Sequence, residues 1–319
     1  MPAPLLVLEA VSAIPSLTWV GVLLALVGAV FLSLGAQLQH RGVELVEERY
    51  GSGHKNGLSV PQLLRLAARP TWVFGSLMLG LAVLFQLSAL GFAPLIVVQP
   101  LGVVGLVVAA VLNARISKVK LDSLTVRAIG FCVIGVGAFV TVAAFVATEH
   151  AITERQLTVI LIILAVVLVA LGLAFAFFRR RFTAIFYIVS AGVLYGFVAT
   201  LAKVIITRLL SGNFEWLTLT CAFALVVAMG LGMYFVQTAY SVGSPDLVIA
   251  GLTVVDPLVA VSIGIVVLGE ASDAPVWAFV VWAIAGAAAI YGVFQLARHH
   301  PQSHKRSPLV VPAAVVTDR

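Results

Sequence analysis

The chain alternates long apolar stretches with short polar connections, and this pattern predicts its elements. Nine stretches come close to or exceed the roughly 20 apolar residues that a helix needs to cross a bilayer. Their expected limits are 17–39, 72–91, 94–114, 125–146, 157–178, 183–209, 216–240, 247–268 and 276–297. We therefore predict an all-α polytopic membrane protein with about nine transmembrane helices. A tenth span would have to come from residues 1–15 or 61–68, and neither segment is long and apolar enough to predict one.

The composition also indicates a membrane protein. Of the 319 residues, 62% are hydrophobic and 10% are charged, whereas a soluble domain has about 25% charged residues. The net charge of +6 would indicate nucleic acid only if the basic residues clustered on a soluble face. They lie instead beside the ends of the apolar stretches, so the bilayer is the expected partner and nucleic acid is excluded. Cys132 and Cys221 both fall inside apolar stretches, which predicts neither a disulfide framework nor a metal site.

The distribution of Lys and Arg orients the chain. With nine spans, Arg155 and Arg208 fall on one side of the membrane, Lys203 falls within a span, and all others of the 19 Lys and Arg residues fall on the opposite side. Lys and Arg accumulate in cytoplasmic loops. We therefore predict a multi-pass protein of the cytoplasmic (plasma or inner) membrane, with its N-terminus outside and its C-terminus in the cytoplasm.

The second half of the sequence resembles the first. Gln99-Pro100 matches Asp256-Pro257, and each pair stands about the same distance before the end of its apolar stretch. The two matched stretches run in opposite senses across the predicted membrane. Inverted repeats whose interrupted helices meet near the bilayer midplane are typical of secondary transporters.

The repeat divides the chain into five parts. They are an N-terminal extracytoplasmic segment (1–16), a first repeat (17–146) that includes a cytoplasmic loop (40–71), a connecting helix with its loops (147–182), a second repeat (183–297) and a disordered cytoplasmic tail (298–319). Within the loop, residues 61–68 are expected to form a short amphipathic helix on the membrane surface.

The pair Asp256-Pro257 carries the strongest chemical signal. A charged side chain at the centre of a membrane helix costs about 2.5–3.5 kcal/mol on insertion scales. Pro257 removes a backbone donor and frees a carbonyl one turn earlier, which lipid cannot satisfy. Both groups are therefore expected to face a polar cavity or a partner helix. The alternative is a structural Asp256 that hydrogen-bonds across helices and binds no substrate.

Few other strongly polar residues lie within the spans. Lys203 either extends to the outer interface or turns inward and pairs with Asp256. The candidate ligand-binding amides are Gln37, Gln86, Gln99 and Gln237, for which the alternative role is hydrogen bonding between helices. Tyr195 is a candidate for an aromatic cavity wall, with plain packing as the alternative. Glu270, at the outer end of its helix, is expected to be exposed to water.

The quoted motifs resemble those of a known superfamily. The segment Leu252–Ala260 followed by Leu268-Gly269-Glu270 resembles the Pro-to-Gly-Glu helix of the EamA-like permeases, within the drug/metabolite transporter superfamily. The segment Ala89–Pro94 followed by Gln99-Pro100-Leu101-Gly102 also resembles the NIPA-type magnesium transporters, which likewise have nine spans. The resemblance covers about residues 20–297. At the position where the family has Gly-Glu-Arg, the first repeat has Asn113-Ala114-Arg115. A carboxylate is therefore absent there.

These observations favour a secondary transporter or permease for a small metabolite, drug-like or amphiphilic solute, proton-coupled through Asp256. One alternative is a divalent-cation (magnesium) transporter, and another is a non-transporting scaffold or accessory subunit for lipid or envelope assembly. The sequence contains no metal-ligand spacing on a helix, no nucleophile motif and no phosphate-binding loop. We therefore predict no enzymatic activity, no cofactor and no metal site. Besides the bilayer, the expected partner is a small-molecule or ion substrate, and the pattern is compatible with a homodimer.

Overall fold

The computed structural model describes residues 3–50, 69–116, 122–178, 183–212 and 215–298. Within these ranges, nine helices are long and apolar enough to cross a membrane, one for each predicted stretch. We number them α1 (Ala3–Tyr50), α2 (Pro70–Phe92), α3 (Leu95–Ile116), α4 (Ser123–Val146), α5 (Glu154–Phe178), α6 (Ala184–Leu210), α7 (Trp216–Val242), α8 (Pro245–Leu268) and α9 (Val276–Arg298). The predicted all-α polytopic membrane protein is confirmed.

The first helix extends further than predicted. Helix α1 is continuous from Ala3 to Tyr50, although its apolar part covers only Leu17–Gly42. The connection predicted from residue 40 therefore begins as a helical extension of α1, because the Glu- and Arg-rich residues there favour helix even outside lipid. The predicted surface helix at 61–68 lies outside the described residues, as does nearly all of the predicted tail.

Helices α3 and α8 are the two irregular ones. Helix α3 narrows to a 3₁₀ turn over Gln99–Leu101, where Pro100 cannot donate a backbone hydrogen bond. Helix α8 carries Pro257 in its α-helical part, Pro245–Ile263, and widens to a π turn over Gly264–Leu268. The backbone is thus disturbed in the two helices that the sequence matched to each other.

The same helix pairings recur in the two halves of the chain. Helix α1 packs most extensively on α2 and then on α3, and α6 packs most extensively on α7 and then on α8. Helices α4 and α9 pack on each other and join the halves, whereas α5 makes few contacts, which are shared among α6, α7 and α8. This arrangement brings α3 and α8 together at the centre of the molecule.

Small residues let α6 approach α8 closely at Asp256. A Cβ added at Gly192 would lie 2.6 Å from the Cβ of Val255, and one added at Gly196 would lie 2.6 Å from the Cβ of Val259. Close approach over small residues is a common way for membrane helices to pack. Residues on either side of Asp256 are therefore held directly against α6.

We expect Gly196→Ala to destabilise the protein by about 1–3 kcal/mol, the usual cost of overpacking a tight contact. The new methyl group would meet the branch point of Val259, which cannot rotate away. Thermal unfolding in detergent would measure the effect. The matched control is Gly137→Ala on α4, where an added Cβ meets no atom within 4 Å. Equal melting temperatures for the two variants would contradict the tight contact.

Candidate functional site

A polar cavity lies about halfway along the helices, between the two halves of the chain. Its volume is about 360 Å³. Helices α1, α2, α3, α6 and α8 all contribute to its wall, so both repeats form it. Its lining residues are Gly28, Ala29, Leu32, Ala82, Val83, Gln86, Gln99, Gly102, Tyr195, Leu252, Thr253, Asp256 and Pro257. Four of the predicted site residues, Gln86, Gln99, Tyr195 and Asp256, therefore meet in one place.

Asp256 is the carboxylate of this cavity. Its Oδ1 is buried and has no hydrogen-bond partner among the described residues. The lining residues that the structure describes include no Lys, Arg or His to balance its charge. A buried carboxylate without a partner is unfavourable unless a proton or a cation neutralises it. The cavity is therefore suited to a proton, or to a ligand with a positive charge.

The other polar groups of the cavity offer directional hydrogen bonds. Gln99 is buried at the start of the 3₁₀ turn in α3, one residue before the helix-breaking Pro100. Gln86 of α2 and Tyr195 of α6 face the same space. An amide both donates and accepts, and a phenol does the same. Around one carboxylate, this set can orient a polar head group on several sides.

Two predicted amides lie elsewhere. Gln37 is half-buried on α1 and Gln237 is exposed on α7, and neither lines the cavity. Gln37 is more than a turn further along α1 than the cavity residue Leu32. The structure therefore does not bring these two side chains to Asp256.

Lys203 pairs with Glu149 and not with Asp256. It is only 5% exposed, and its Nζ forms an ion pair with Glu149 and donates to the carbonyl of Ala93 at 3.0 Å. The suggested pair with Asp256 is wrong because Lys203 is eight residues beyond the cavity residue Tyr195, about 12 Å along the axis of α6. Extension of Lys203 toward the membrane interface stays a prediction, and its partner Glu149 is partly exposed in the connection after α4.

Glu270 is buried, so its predicted exposure to water is wrong. It is only 3% exposed, and its Oε1 and Oε2 accept from the backbone N–H groups of Leu95 at 2.8 Å and Ile96 at 2.9 Å. These are free donors at the first turn of α3, where a negative charge also interacts favourably with the helix dipole. A carboxylate from the second half thus caps a helix of the first half.

Local features bring the Glu270 side chain back to α3. Gly269 has φ 74°, the left-handed conformation that reverses the chain after the π turn. A Cβ at Gly264 would lie 2.6 Å from the Oε2 of Glu270, so only glycine leaves room for the carboxylate. Burial raises the pKa of the Glu270 carboxyl, while the two backbone donors and the charge of Lys203 act in the opposite direction.

Together these groups close one end of the molecule. We call Glu149, Lys203 and Glu270 with their partners the ion-pair layer. Further bonds support it: the Thr148 N–H donates to the carbonyl of Glu270 at 2.9 Å, and Gln156 Nε2 donates to that of Val267 at 3.1 Å. Gln99 of the cavity is only four residues beyond Leu95, about 6 Å along the axis of α3. The layer therefore lies directly beside the cavity and ties the two halves together there.

The chain is similar to one protein of Corynebacterium glutamicum that is described as uncharacterized. The two are 26% identical over 279 residues, which cover 87% of this chain and 94% of the relative. No family model matches the chain. No solved structure matches it either.

Proposed function

We propose that this protein is a secondary transporter that moves a small solute across a membrane by alternating access, with Asp256 as its binding carboxylate. The observation that carries the proposal is the position of this carboxylate: it lies mid-span, in a cavity formed by both halves, with a buried oxygen that has no partner among the described residues. Ionisable residues at this depth commonly mark substrate or proton pathways.

The single carboxylate supports coupling of solute transport to proton transport, because the solute and the proton compete for it. A proton and a cationic solute both neutralise Asp256, and only one of them can do so at a time. Binding of the cation then displaces the proton, and return of the proton displaces the cation. No other charged side chain lines the described part of the cavity, so each occupant leaves the site close to neutral. The change of access then does not require a net charge to be held in low-dielectric surroundings.

The ion-pair layer supports alternating access. At this end Lys203 and Glu270 of the second half bind Ala93, Leu95 and Ile96 of the first. Lys203 also pairs with Glu149 of the segment that connects the two halves. Opening the cavity toward this end requires these contacts to separate while the halves move relative to each other. Rocking of two repeats about a fixed midplane site is the usual mechanism of inverted-repeat transporters.

The membrane and the orientation are part of the proposal. The accumulation of Lys and Arg on one side supports a cytoplasmic membrane, an N-terminus outside and the ion-pair layer at the outer face. The resemblance to EamA-like permeases supports the proposed transport function, because it concerns the segments that form the cavity.

The magnesium pathway is less well supported. A hard divalent cation takes about six or more oxygen ligands, and the side chains of the cavity offer one carboxylate with two amides, a phenol and the hydroxyl of Thr253. Among the described residues, no three His, Cys, Asp or Glu side chains come together in a way that could hold a metal ion. The cavity therefore favours an organic cation over Mg²⁺.

Thermal unfolding in detergent distinguishes the three functions. The probes are tetramethylammonium and other small organic cations, Mg²⁺, and neutral analogues of the organic cations. A ligand at 100 times its Kd stabilises the folded state by about 2.7 kcal/mol. We expect organic cations to raise the melting temperature of the wild type but not of Asp256→Asn. Stabilisation by Mg²⁺ alone would replace the proposal with the cation pathway, and no response to any probe would support the scaffold.

A further inference from the structure

A second, apolar pocket lies beside the polar cavity, on an adjacent face of α3 and α8. Its volume is about 80 Å³, and helices α3, α4, α8 and α9 form it. The lining residues are apolar except for Thr253. They are Pro100, Val103, Val136, Phe139, Thr253, Val254, Pro257, Leu258, Val261, Gly286, Ala289, Ile290 and Val293.

The apolar pocket and the polar cavity are neighbours. Thr253 and Pro257 line both of them. On α3 the adjacent residues Gln99 and Pro100 line the cavity and the pocket respectively. The irregular backbone around Pro100 and Pro257 therefore borders a polar space with a carboxylate and an adjacent apolar space.

The pocket also extends to the lipid-facing surface of the molecule. Leu258 lines it and is 50% exposed, and a large exposed apolar side chain in mid-span faces lipid in a membrane protein. The pocket has room for several water-sized groups. A short apolar chain fills it, and a longer chain continues from it into the bilayer.

We propose that the substrate is an amphiphilic cation, whose charged head binds beside Asp256 and whose alkyl chain occupies the apolar pocket. This inference rests on the proposed transport function and names the substrate class of that same site. The charge of the cavity selects the head group: the described lining holds one carboxylate and no Lys, Arg or His, so it attracts an ammonium and repels a phosphate. Thr253 and Pro257 border both spaces, so the chain of a ligand whose head is beside Asp256 has the apolar pocket as its nearest apolar site.

The test uses a series of alkyltrimethylammonium ions, from tetramethylammonium to the octyl compound, kept below their micellar concentrations. Binding affinity is measured on the purified full chain by ligand-induced thermal stabilisation. Burying a methylene contributes about fourfold in affinity. We expect affinity to rise by about this factor for each methylene that enters the pocket. It should then level off once the chain reaches the lipid-facing surface.

Gly286→Leu is the decisive variant because it fills the pocket without touching the cavity. A Cβ at Gly286 meets no atom within 4 Å, so the longer side chain starts without a clash and extends into the pocket that Gly286 lines. We expect tetramethylammonium to bind as in the wild type and the octyl compound to bind at least about tenfold more weakly. The control is Gly137→Leu, at an exposed position of α4 that also has no atom within 4 Å. If Gly286→Leu fails to fold, Leu258→Ala, which removes one apolar wall, is expected to weaken binding of the octyl compound only.

The outcomes separate this inference from the proposed function. The amphiphile inference is wrong if chain length has no effect on affinity, or if it has the same effect in the wild type and in Gly286→Leu. Leu258→Ala takes the place of Gly286→Leu where that variant does not fold. In either case, Asp256-dependent binding of tetramethylammonium would still support transport of a small cation. If Asp256→Asn binds every member of the series like the wild type, the transport proposal itself is wrong.

Discussion

Asp256→Asn is expected to lower solute uptake into proteoliposomes by about a hundredfold. Removing one partner of a buried charge interaction costs about 2–5 kcal/mol, and the amide can neither neutralise a cation nor exchange a proton. The side chain keeps its size, and its buried oxygen has no partner among the described residues to lose. The fold should therefore tolerate the change, and the melting temperature without ligand should stay at or above that of the wild type.

The matched control for this variant is Asp246→Asn. Asp246 lies in the first turn of the same helix, α8, and does not line the cavity. It has the same chemistry at a different depth, and we expect its uptake rate to match the wild type. Uptake by Asp256→Asn at the wild-type rate would show that this carboxylate is structural.

Disrupting the Lys203–Glu149 pair is expected to open the cavity to the outside. Glu149→Gln removes the carboxylate that pairs with the buried Lys203, which disfavours the closed arrangement because breaking a buried ion pair is costly. Lys203→Met removes the bond to Ala93 as well. Either change should shift the equilibrium between the two access states toward the state in which the contacts of the ion-pair layer are broken.

A cysteine at residue 102 reports this opening. Gly102 lines the cavity and an added Cβ there meets no atom within 4 Å, while the native Cys132 and Cys221 are both buried. The measurement is the rate at which a membrane-impermeant maleimide labels Gly102→Cys from the outside of intact cells. We expect slow labelling in the otherwise wild-type protein and labelling at least about tenfold faster with Glu149→Gln, since an access shift of about 1.4 kcal/mol gives that factor.

The control for the layer is another ion pair at the same end. Buried Arg208 pairs with Glu215 at 3.0 Å, but both residues belong to the second half, so the pair does not tie the halves together. Glu215→Gln should leave the labelling rate at residue 102 unchanged. Equal acceleration by Glu149→Gln and Glu215→Gln would indicate general loosening of the fold and contradict a specific outer closure.

The sequence predicted the spans well because hydropathy measures what a span needs. Each apolar stretch became one helix, and the match between Gln99-Pro100 and Asp256-Pro257 predicted two irregular helices that do meet at a cavity. The helical extension of α1 beyond its apolar part was not predicted, because a hydropathy pattern does not detect helix formation by polar residues.

The ion-pair layer was not predictable in the same way. The cost of burying Lys203 indicates that a partner exists but does not identify it, and Glu149 lies in a connection far away in sequence. The partners of Glu270 are backbone N–H groups, which no side-chain pattern encodes. Two signals did point to its position: Gly269 allows a chain reversal, and the first turn of α3 has no acidic residue of its own.

Proton release is the measurement that tests the central claim most directly. The purified full chain is placed in weakly buffered detergent solution, tetramethylammonium or an alkyltrimethylammonium ion is added, and the pH change is followed with an indicator dye. The account predicts that the wild type and Asp246→Asn release protons as the cation binds, and that Asp256→Asn releases none. Cation binding without proton release in the wild type, or undiminished release in Asp256→Asn, would contradict exchange at this carboxylate.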